Sequence, residues 1–508
     1  MLSKVFSAGL IGIDAYPVEV EVDITLGMPH WNTVGLPESS VRESRDRVAS
    51  AIKNSGYEFL QRKITINLAP ADIKKEGTAL DLPIALGLLA SSNGLNRDRL
   101  KEFLIVGELT LSGAIKPIRG ALAVALAAKK KSFQGIILPR ENSSEAAIVK
   151  EIDILGVTHL SEVVEFLNGK KPLSPHVITT PLFSNNGHYD SDFSEIKGQE
   201  LAKRAIEVAA AGGHNILMIG PPGTGKTMLA QRIPTILPPL SFDEALETTK
   251  IYSAVGLVEK EKPLLTHRPF RSPHHTISDA GMIGGGTVPK PGEVSLSHRG
   301  VLFLDELPEF KKNVLEVLRQ PVEAGKVTIS RAYSTLTFPS EFMLVTAMNP
   351  CRCGFFTSLQ QLCRCSPVQL QNYRSRLSGP LLDRIDIQIE VPPVKYRELA
   401  SLKEGESSET IRQRVLSARE KQTTRFQKQK VLCNAQMFPK LVRKFCALPP
   451  EGNQLLQSAM EKLRLSARAY DRILKVARTI ADLAGSEPIE TGHLAEAIQY
   501  RSLDRNNN

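Results

Sequence analysis

The alternation of apolar and polar positions divides the chain into stretches of different character. Over 1–170, apolar or alternating runs at Val18–Ile24, Lys63–Asn67, Phe103–Val106 and Gly135–Leu138 predict strands. Helical spacing over Ser40–Ser55, Leu82–Ser91 and Ala121–Lys131 predicts helices between them, the pattern of an α/β or α+β domain. Residues 171–192 are rich in Pro, Ser and Asn and read as a linker. Across 193–400, apolar runs at Asn215–Ile219, Val301–Leu304 and Leu344–Met348 alternate with helical segments, which predicts a parallel sheet. From 401 to 508 strand signals fade, and helical spacing over Leu455–Leu463, Tyr470–Leu483 and His493–Arg501 predicts a helical region ending in a polar tail. No internal repeat interrupts this order.

Composition sets limits on this picture. A chain of 508 residues, 42% apolar and 23% charged, is too long for one ordinary core and reads as a soluble multidomain protein. No apolar stretch approaches the roughly 18 residues of a membrane helix, and the first residues lack a signal-peptide build, so a cytoplasmic location without membrane partners is expected. The net charge of +10 is compatible with a polyanionic partner. Arg412–Lys444 is dense in Lys and Arg, with Glu420 its one acid; this is either a solvated helix face or a phosphate-contacting surface. Six cysteines in a reducing compartment argue against a disulfide framework. Four of them form two C-x-C pairs, Cys351 with Cys353 and Cys363 with Cys365, which points to tetrahedral Zn²⁺, with a cluster of free or redox-active thiols as the alternative. Cys433 and Cys446 read as ordinary partly buried thiols.

The apolar run ending at Ile219 leads into Gly220-Pro221-Pro222-Gly223-Thr224-Gly225-Lys226-Thr227, which matches G-x-x-x-x-G-K-[ST] in full and opens a helical pattern. Its glycines let backbone N–H groups surround phosphates at a helix N-terminus. Lys226 can reach the outer phosphates, and Thr227 can ligate Mg²⁺. The run Val301–Leu304 ends in Asp305-Glu306, which supplies a metal-holding carboxylate and a second one to polarise an attacking water. Asn349 follows a third apolar run and is placed to orient that water or sense the γ-phosphate. A cation for the transition state is also needed. Arg384 is the candidate, delivered by a neighbouring subunit, with Arg374 and Arg376 as rivals; Arg468 fits a second cation from the helical region.

With these motifs stand Gly35-Leu36-Pro37, Glu43–Val48, Asn67–Asp72, Asp81–Ala85, Arg271-Ser272-Pro273-His274-His275, Pro291–His298 and Ser378–Arg384. Together they resemble the ComM/YifB family of magnesium-chelatase-like AAA+ ATPases over nearly the whole chain. The resemblance implies an AAA+ P-loop parallel sheet with a C-terminal helical lid, Asn349 as sensor 1, Arg384 as a trans arginine finger and Arg468 as sensor 2. It also implies two pore loops, about 272–298 and the hairpin Lys326–Phe338, whose Lys290, Lys326 and Arg331 would contact DNA phosphates. Residues 1–170 resemble the Lon-protease-like (ribosomal S5 domain 2-like) α+β domain, also found in RadA-type proteins, through Gly107–Gly113 and the helix after Asp81-Leu82-Pro83. The stretch matching the Lon serine motif reads Gly77-Thr78-Ala79-Leu80-Asp81, without serine, and Leu122 stands where the Lys base would be, so no peptidase activity is expected. A scaffold or DNA-contacting role remains for this domain, for which Lys74, Lys75, Arg119 and Lys129–Lys131 supply positive charge.

The expected organisation is therefore 1–170 Lon-like, 171–192 linker, 193–400 ATPase core with a Cys-rich loop at 351–365, and 401–508 basic segment and lid. The resemblance implies an ATP- and Mg²⁺-dependent DNA helicase or branch-migration motor of homologous recombination. It would be a homohexameric ring acting on single-stranded, duplex or branched DNA in natural transformation. A magnesium-chelatase-type motor working on a metal-insertion partner is the second reading, and a nucleotide-gated scaffold the third.

Overall fold

The computed structural model describes residues 2–178, 189–286, 288–331, 334–356, 361–394, 405–429, 431–463 and 465–503. The chain divides into two compact units, Met1–Ser184 with Ser241–Thr266 and Val288–Pro291, and Asn185–Leu240 with His267–Thr287 and Gly292–Asn508. Among the described residues no helix is long and apolar enough to cross a membrane.

The first unit is built on a seven-stranded mixed sheet in the order His30–Val34, Lys63–Ala69, Asp14–Thr25, Leu2–Ile11, Phe103–Ile105, Gly135–Pro139, Asp153–Val157. Leu2–Ile11 and Asp14–Thr25 form a hairpin around Gly12-Ile13. The alternation predicted at Val18–Ile24 is seen as Val18, Val20, Val22 and Ile24 buried with polar residues between them. The helix Asp81–Ser91 is buried along its whole length against this sheet, which is why its apolar run lacks an amphipathic period. The helix predicted over Ser40–Ser55 is two, Ser39–Arg42 and Ser44–Asn54, meeting at Glu43.

This unit also takes in a helix from mid-chain, Phe242–Val255, capped by Ser241 and Glu244. Ser253 donates to the buried Glu145 carboxylate, which also accepts from the Leu122 N–H at 3.0 Å, and the Gly120 N–H donates to the Ser253 carbonyl at 3.0 Å. Leu122 is fully buried, and Thr78 donates to Glu108.

The second unit holds a five-stranded parallel sheet in the order Phe270–Arg271, Val301–Leu304, Met343–Met348, Ile216–Ile219, Ile387–Glu390. Because the strands are parallel, the residues after Ile219, Leu304 and Met348 emerge at one edge of the sheet. The predicted apolar runs occupy its three inner strands; the two outer ones are short and carry little sequence signal. The helical region follows as Pro450–Leu463, Ala467–Ala484 and Thr491–Gln499, and the same core takes in the long helix Ser408–Phe426.

Candidate nucleotide site

The edge after Ile219, Leu304 and Met348 brings five of the sequence-predicted residues together. Gly223 and Gly225 adopt φ of +76° and +83°, with nothing within 4 Å of where a Cβ would stand. Glycine is needed there for the backbone turn and not for packing, and that side of the loop is open. Lys226 begins the helix Lys226–Ile236 and folds back over the loop, donating to the carbonyls of Gly220 at 2.7 Å and Pro221 at 2.9 Å. Its Nζ also lies 3.4 Å from Asn349 Oδ1. Burial pushes the Lys226 ammonium below its ordinary range, and Asp305 and Glu306 pull it back up.

Thr227 Oγ1 donates to Asp305 Oδ2 at 2.8 Å, and the other Asp305 oxygen accepts from the Glu306 N–H at 2.9 Å. A hydroxyl and a carboxylate in contact form a hard oxygen donor pair, the chemistry that suits Mg²⁺. Glu306 has φ +52°, an uncommon backbone state for a residue with a side chain, and its carboxylate lies 3.7 Å from His275 Nδ1.

Three residues of this site had no assigned role in the sequence. Gln199 donates to the carbonyls of Thr224 at 3.3 Å and Pro392 at 2.7 Å, bracing the loop from outside. His275 lay inside a stretch noted for resemblance alone, and Tyr373 carried no signal. Tyr373 is buried with its hydroxyl facing the Asn349 backbone N–H; burial, then the nearby Glu309, pushes the phenol far above its usual range.

The arginine candidates are held within the chain. Arg384 pairs with Glu323 at 2.5 Å, Arg376 with Glu309 at 2.9 Å, and Arg374 lies 5.2 Å from the Phe356 ring centroid. Arg468 stands 3.8 Å from Asp383 with its side chain 64% exposed. The segment carrying Arg384 is tied to the P-loop strand, since Asn215 donates to the Arg384 carbonyl at 3.0 Å and the Asn215 N–H donates to Asp386 at 3.0 Å.

Lys326–Arg331 and Ser334–Pro339 form the predicted antiparallel hairpin. Arg331 Nη2 lies 3.6 Å from where a Cβ on Gly285 would stand, so the hairpin approaches the Gly/His-rich insert. Lys290 is exposed and falls in the first unit. Of the two readings of the basic stretch, the contacts favour neither a bare solvated face nor a free phosphate surface over its first half. Arg412 pairs with Glu409, Arg414 with Glu207 and Glu406, and Arg425 with Asp482, while Arg419 and Lys421 donate to the Ala210 and Asp482 carbonyls.

The four predicted cysteine ligands converge: the Sγ atoms of Cys351, Cys353, Cys363 and Cys365 all lie within 4.8 Å of one another.

A P-loop sequence, a carboxylate pair and an asparagine at one edge of a parallel sheet, with a helical region following, are the arrangement of an AAA+ ATPase. Models of magnesium chelatase subunit ChlI match residues 20–142 and 192–399, and a model of its C-terminal region matches 405–501. The chain is 47% identical over 505 residues to YifB of Escherichia coli, covering 99% of this chain and 98% of that protein. It is 45% identical over 509 residues to the competence protein ComM of Haemophilus influenzae, with the same two coverages, 99% and 98%. It is also 26% identical over 167 residues to Lon protease 2 of Bacillus subtilis, 29% of each chain. The chain belongs to the magnesium-chelatase-like AAA+ ATPase family that includes YifB and ComM.

Proposed function

We propose that this protein is an ATP-driven DNA motor, a helicase or branch-migration enzyme of homologous recombination that acts on incoming DNA during natural transformation. The observation that carries the ATPase half is the preassembled set Lys226, Thr227, Asp305, Glu306 and Asn349. Likeness to a competence protein over nearly the full length supports the DNA half.

On this reading Gly220–Thr227 wraps the phosphates and Lys226 turns from the loop carbonyls to the outer phosphate oxygens. Thr227 and Asp305 would hold Mg²⁺, which would neutralise charge on the phosphates. Glu306 polarises the attacking water and Asn349 orients it. Arg384 acts from the neighbouring subunit of a ring, a homohexamer in this proposal, which requires its pair with Glu323 to open; Arg468 is the second cation. Lys290, Lys326 and Arg331 contact DNA phosphates from the pore loops. A chelatase-type motor acting on a metal-insertion partner is the second reading, favoured by the ChlI family match.

The test is ATP turnover with and without single-stranded, duplex and branched DNA, with Lys226→Ala as control. Stimulation by DNA that is lost in the variant is the expected result. Turnover indifferent to every DNA, with no DNA bound in the ATP state, overturns the motor reading and moves the search to porphyrin or protein partners.

A further inference from the structure

Cys351 lies two residues past Asn349, and Cys365 lies just before the helix Pro367–Arg374, which carries Tyr373 back to the Asn349 backbone. The described residues of this excursion leave the nucleotide site after Asn349 and return to it at Tyr373, and the four thiols stand together on it. Cys351 and Cys353 are joined by a tight turn in which the Gly354 N–H donates to the Cys351 carbonyl at 3.0 Å. Gly354 has φ +87°, and a Cβ there would stand 2.6 Å from Cδ of Pro222. No other residue fits this position without strain or collision, so the turn rests directly on the phosphate-binding loop.

The geometry of the thiols matches one metal ion. Sγ–Sγ separations are 3.3 Å for Cys351–Cys353, 3.7 Å for Cys351–Cys363 and 3.6 Å for Cys353–Cys363. A Zn²⁺ ion with four thiolates at about 2.3 Å requires tetrahedron edges of about 3.8 Å. An iron–sulfur cube places a cluster edge between its cysteines and needs them farther apart. Backbone N–H groups of Phe355 and Arg364 face Cys353, and the Cys365 N–H donates to Cys363 Sγ at 3.5 Å, so the main chain wraps the sulfur atoms from both pairs. The free-thiol alternative gives no reason for four side chains from two separated C-x-C pairs to share one point.

We propose that Cys351, Cys353, Cys363 and Cys365 bind a single Zn²⁺ ion, and that this metal ties the stretches 349–356 and 363–373 to each other and holds them on the phosphate-binding loop at Pro222. The zinc takes no part in the chemistry. It fixes Asn349 relative to Lys226, so its loss loosens the nucleotide site while the reacting groups stay intact. The second half of the proposal rests on the ATPase reading above; the metal itself does not.

The experiment uses the full chain. Metal content is measured by elemental analysis, and release is followed with a zinc-sensitive dye as a mercurial titrates the thiols. Cys353→Ser with Cys363→Ser is compared with Cys433→Ser, a buried cysteine outside the cluster. One zinc per chain in the parent and in Cys433→Ser, and none in the double variant, is the expected result. Zinc well below one per chain, or iron in its place, overturns the site. For the clamp, the double variant should lose turnover about tenfold or more and weaken nucleotide binding. Should it fail to fold, the parent is stripped and reloaded with Zn²⁺, and turnover should fall and return. Zinc present with turnover and nucleotide affinity indifferent to its removal overturns the clamp. Zinc present in a parent protein without any turnover overturns the ATPase reading and leaves the metal site standing.

Discussion

His275 Nδ1 stands 3.7 Å from the carboxylate of Glu306, so the group proposed to polarise water is held by the loop that follows the edge strand Phe270–Arg271. His275 also lies edge-on to Phe310, at 6.4 Å between ring centroids, and against His274, at 4.0 Å. The insert beyond His275 approaches the hairpin at Arg331, so DNA bound there as proposed above would act on the segment that carries His275. The Glu306 side chain is 56% exposed, so its 3.7 Å contact with the imidazole is screened by solvent and weak. His275→Ala should therefore raise turnover without DNA by up to about fivefold and shrink the stimulation by DNA. Glu306→Gln keeps the shape and removes the base, so turnover should fall about 100-fold or more with nucleotide binding kept. Unchanged basal and stimulated rates in His275→Ala would show that the pair restrains nothing.

The parts of this site legible in the sequence were those whose chemistry is local. Gly220–Thr227 is one continuous motif, and the inner strands announce themselves as apolar runs because both of their faces are buried. What sequence could not supply was convergence. His275 meets Glu306 only because two strands are neighbours in the sheet, and Tyr373 meets Asn349 across the cysteine excursion. Arg414 reads as free positive charge until Glu207, on a distant helix, is found beside it. The helix Phe242–Val255 reads as part of the ATPase stretch, and only Ser253 at Glu145 and the Gly120 N–H at the Ser253 carbonyl assign it to the first unit.

The hairpin cations give a test that separates DNA phosphate contact from general surface charge. Arg331 is exposed near the hairpin tip, and Lys326 is exposed at its base. If both touch phosphates, each change to Ala should weaken DNA binding about equally for all sequences and reduce the salt slope by about one unit. ATP turnover without DNA should be unaltered. Affinity lost with an unchanged slope would mean that the hairpin acts through its shape.

Asp81 gives the first unit a defined pH dependence. Burial raises its carboxyl to about 6, although Arg47 donates to both oxygens, at 2.8 and 3.1 Å. In the unfolded chain it titrates near its ordinary value of about 3.9. The folded state thus holds the proton more tightly, and between the two values folding takes up a proton. This contribution is fully present below about pH 4 and is lost as pH rises through about 6, roughly 3 kcal/mol in all. Urea unfolding of the full chain, followed by the fluorescence of its single tryptophan, Trp31, reports on this unit. Asp81→Asn should flatten the fall in stability across that window, and parallel slopes for the two proteins would exclude Asp81 as its source.

Asp482 anchors the helix Ala467–Ala484, which begins beside Arg468. Its side chain is 1% exposed; it accepts from Arg425 and Asn434, each at 2.8 Å, and from Arg478 at 3.1 Å. Burial lowers the Arg478 pKa, so this guanidinium relies on the carboxylate for compensation. Asp482→Ala would leave the buried Arg478 and the partly buried Arg425 without a counter-charge, a loss of about 3–5 kcal/mol. For a unit of this size that corresponds to a fall in Tm on the order of 10 °C. Asp482→Asn keeps an acceptor but not the charge and should fall between the two. Hydrogen exchange across 467–484 should accelerate in the alanine variant below its melting temperature, and turnover should drop with it if Arg468 serves the nucleotide. A variant whose exchange and Tm match the parent would mean that the arginines reach water or the Ser486 and Glu487 carbonyls, which Arg478 already meets. In that case the helix would owe its position to the apolar contacts of Ile473, Ala477 and Ile480 alone.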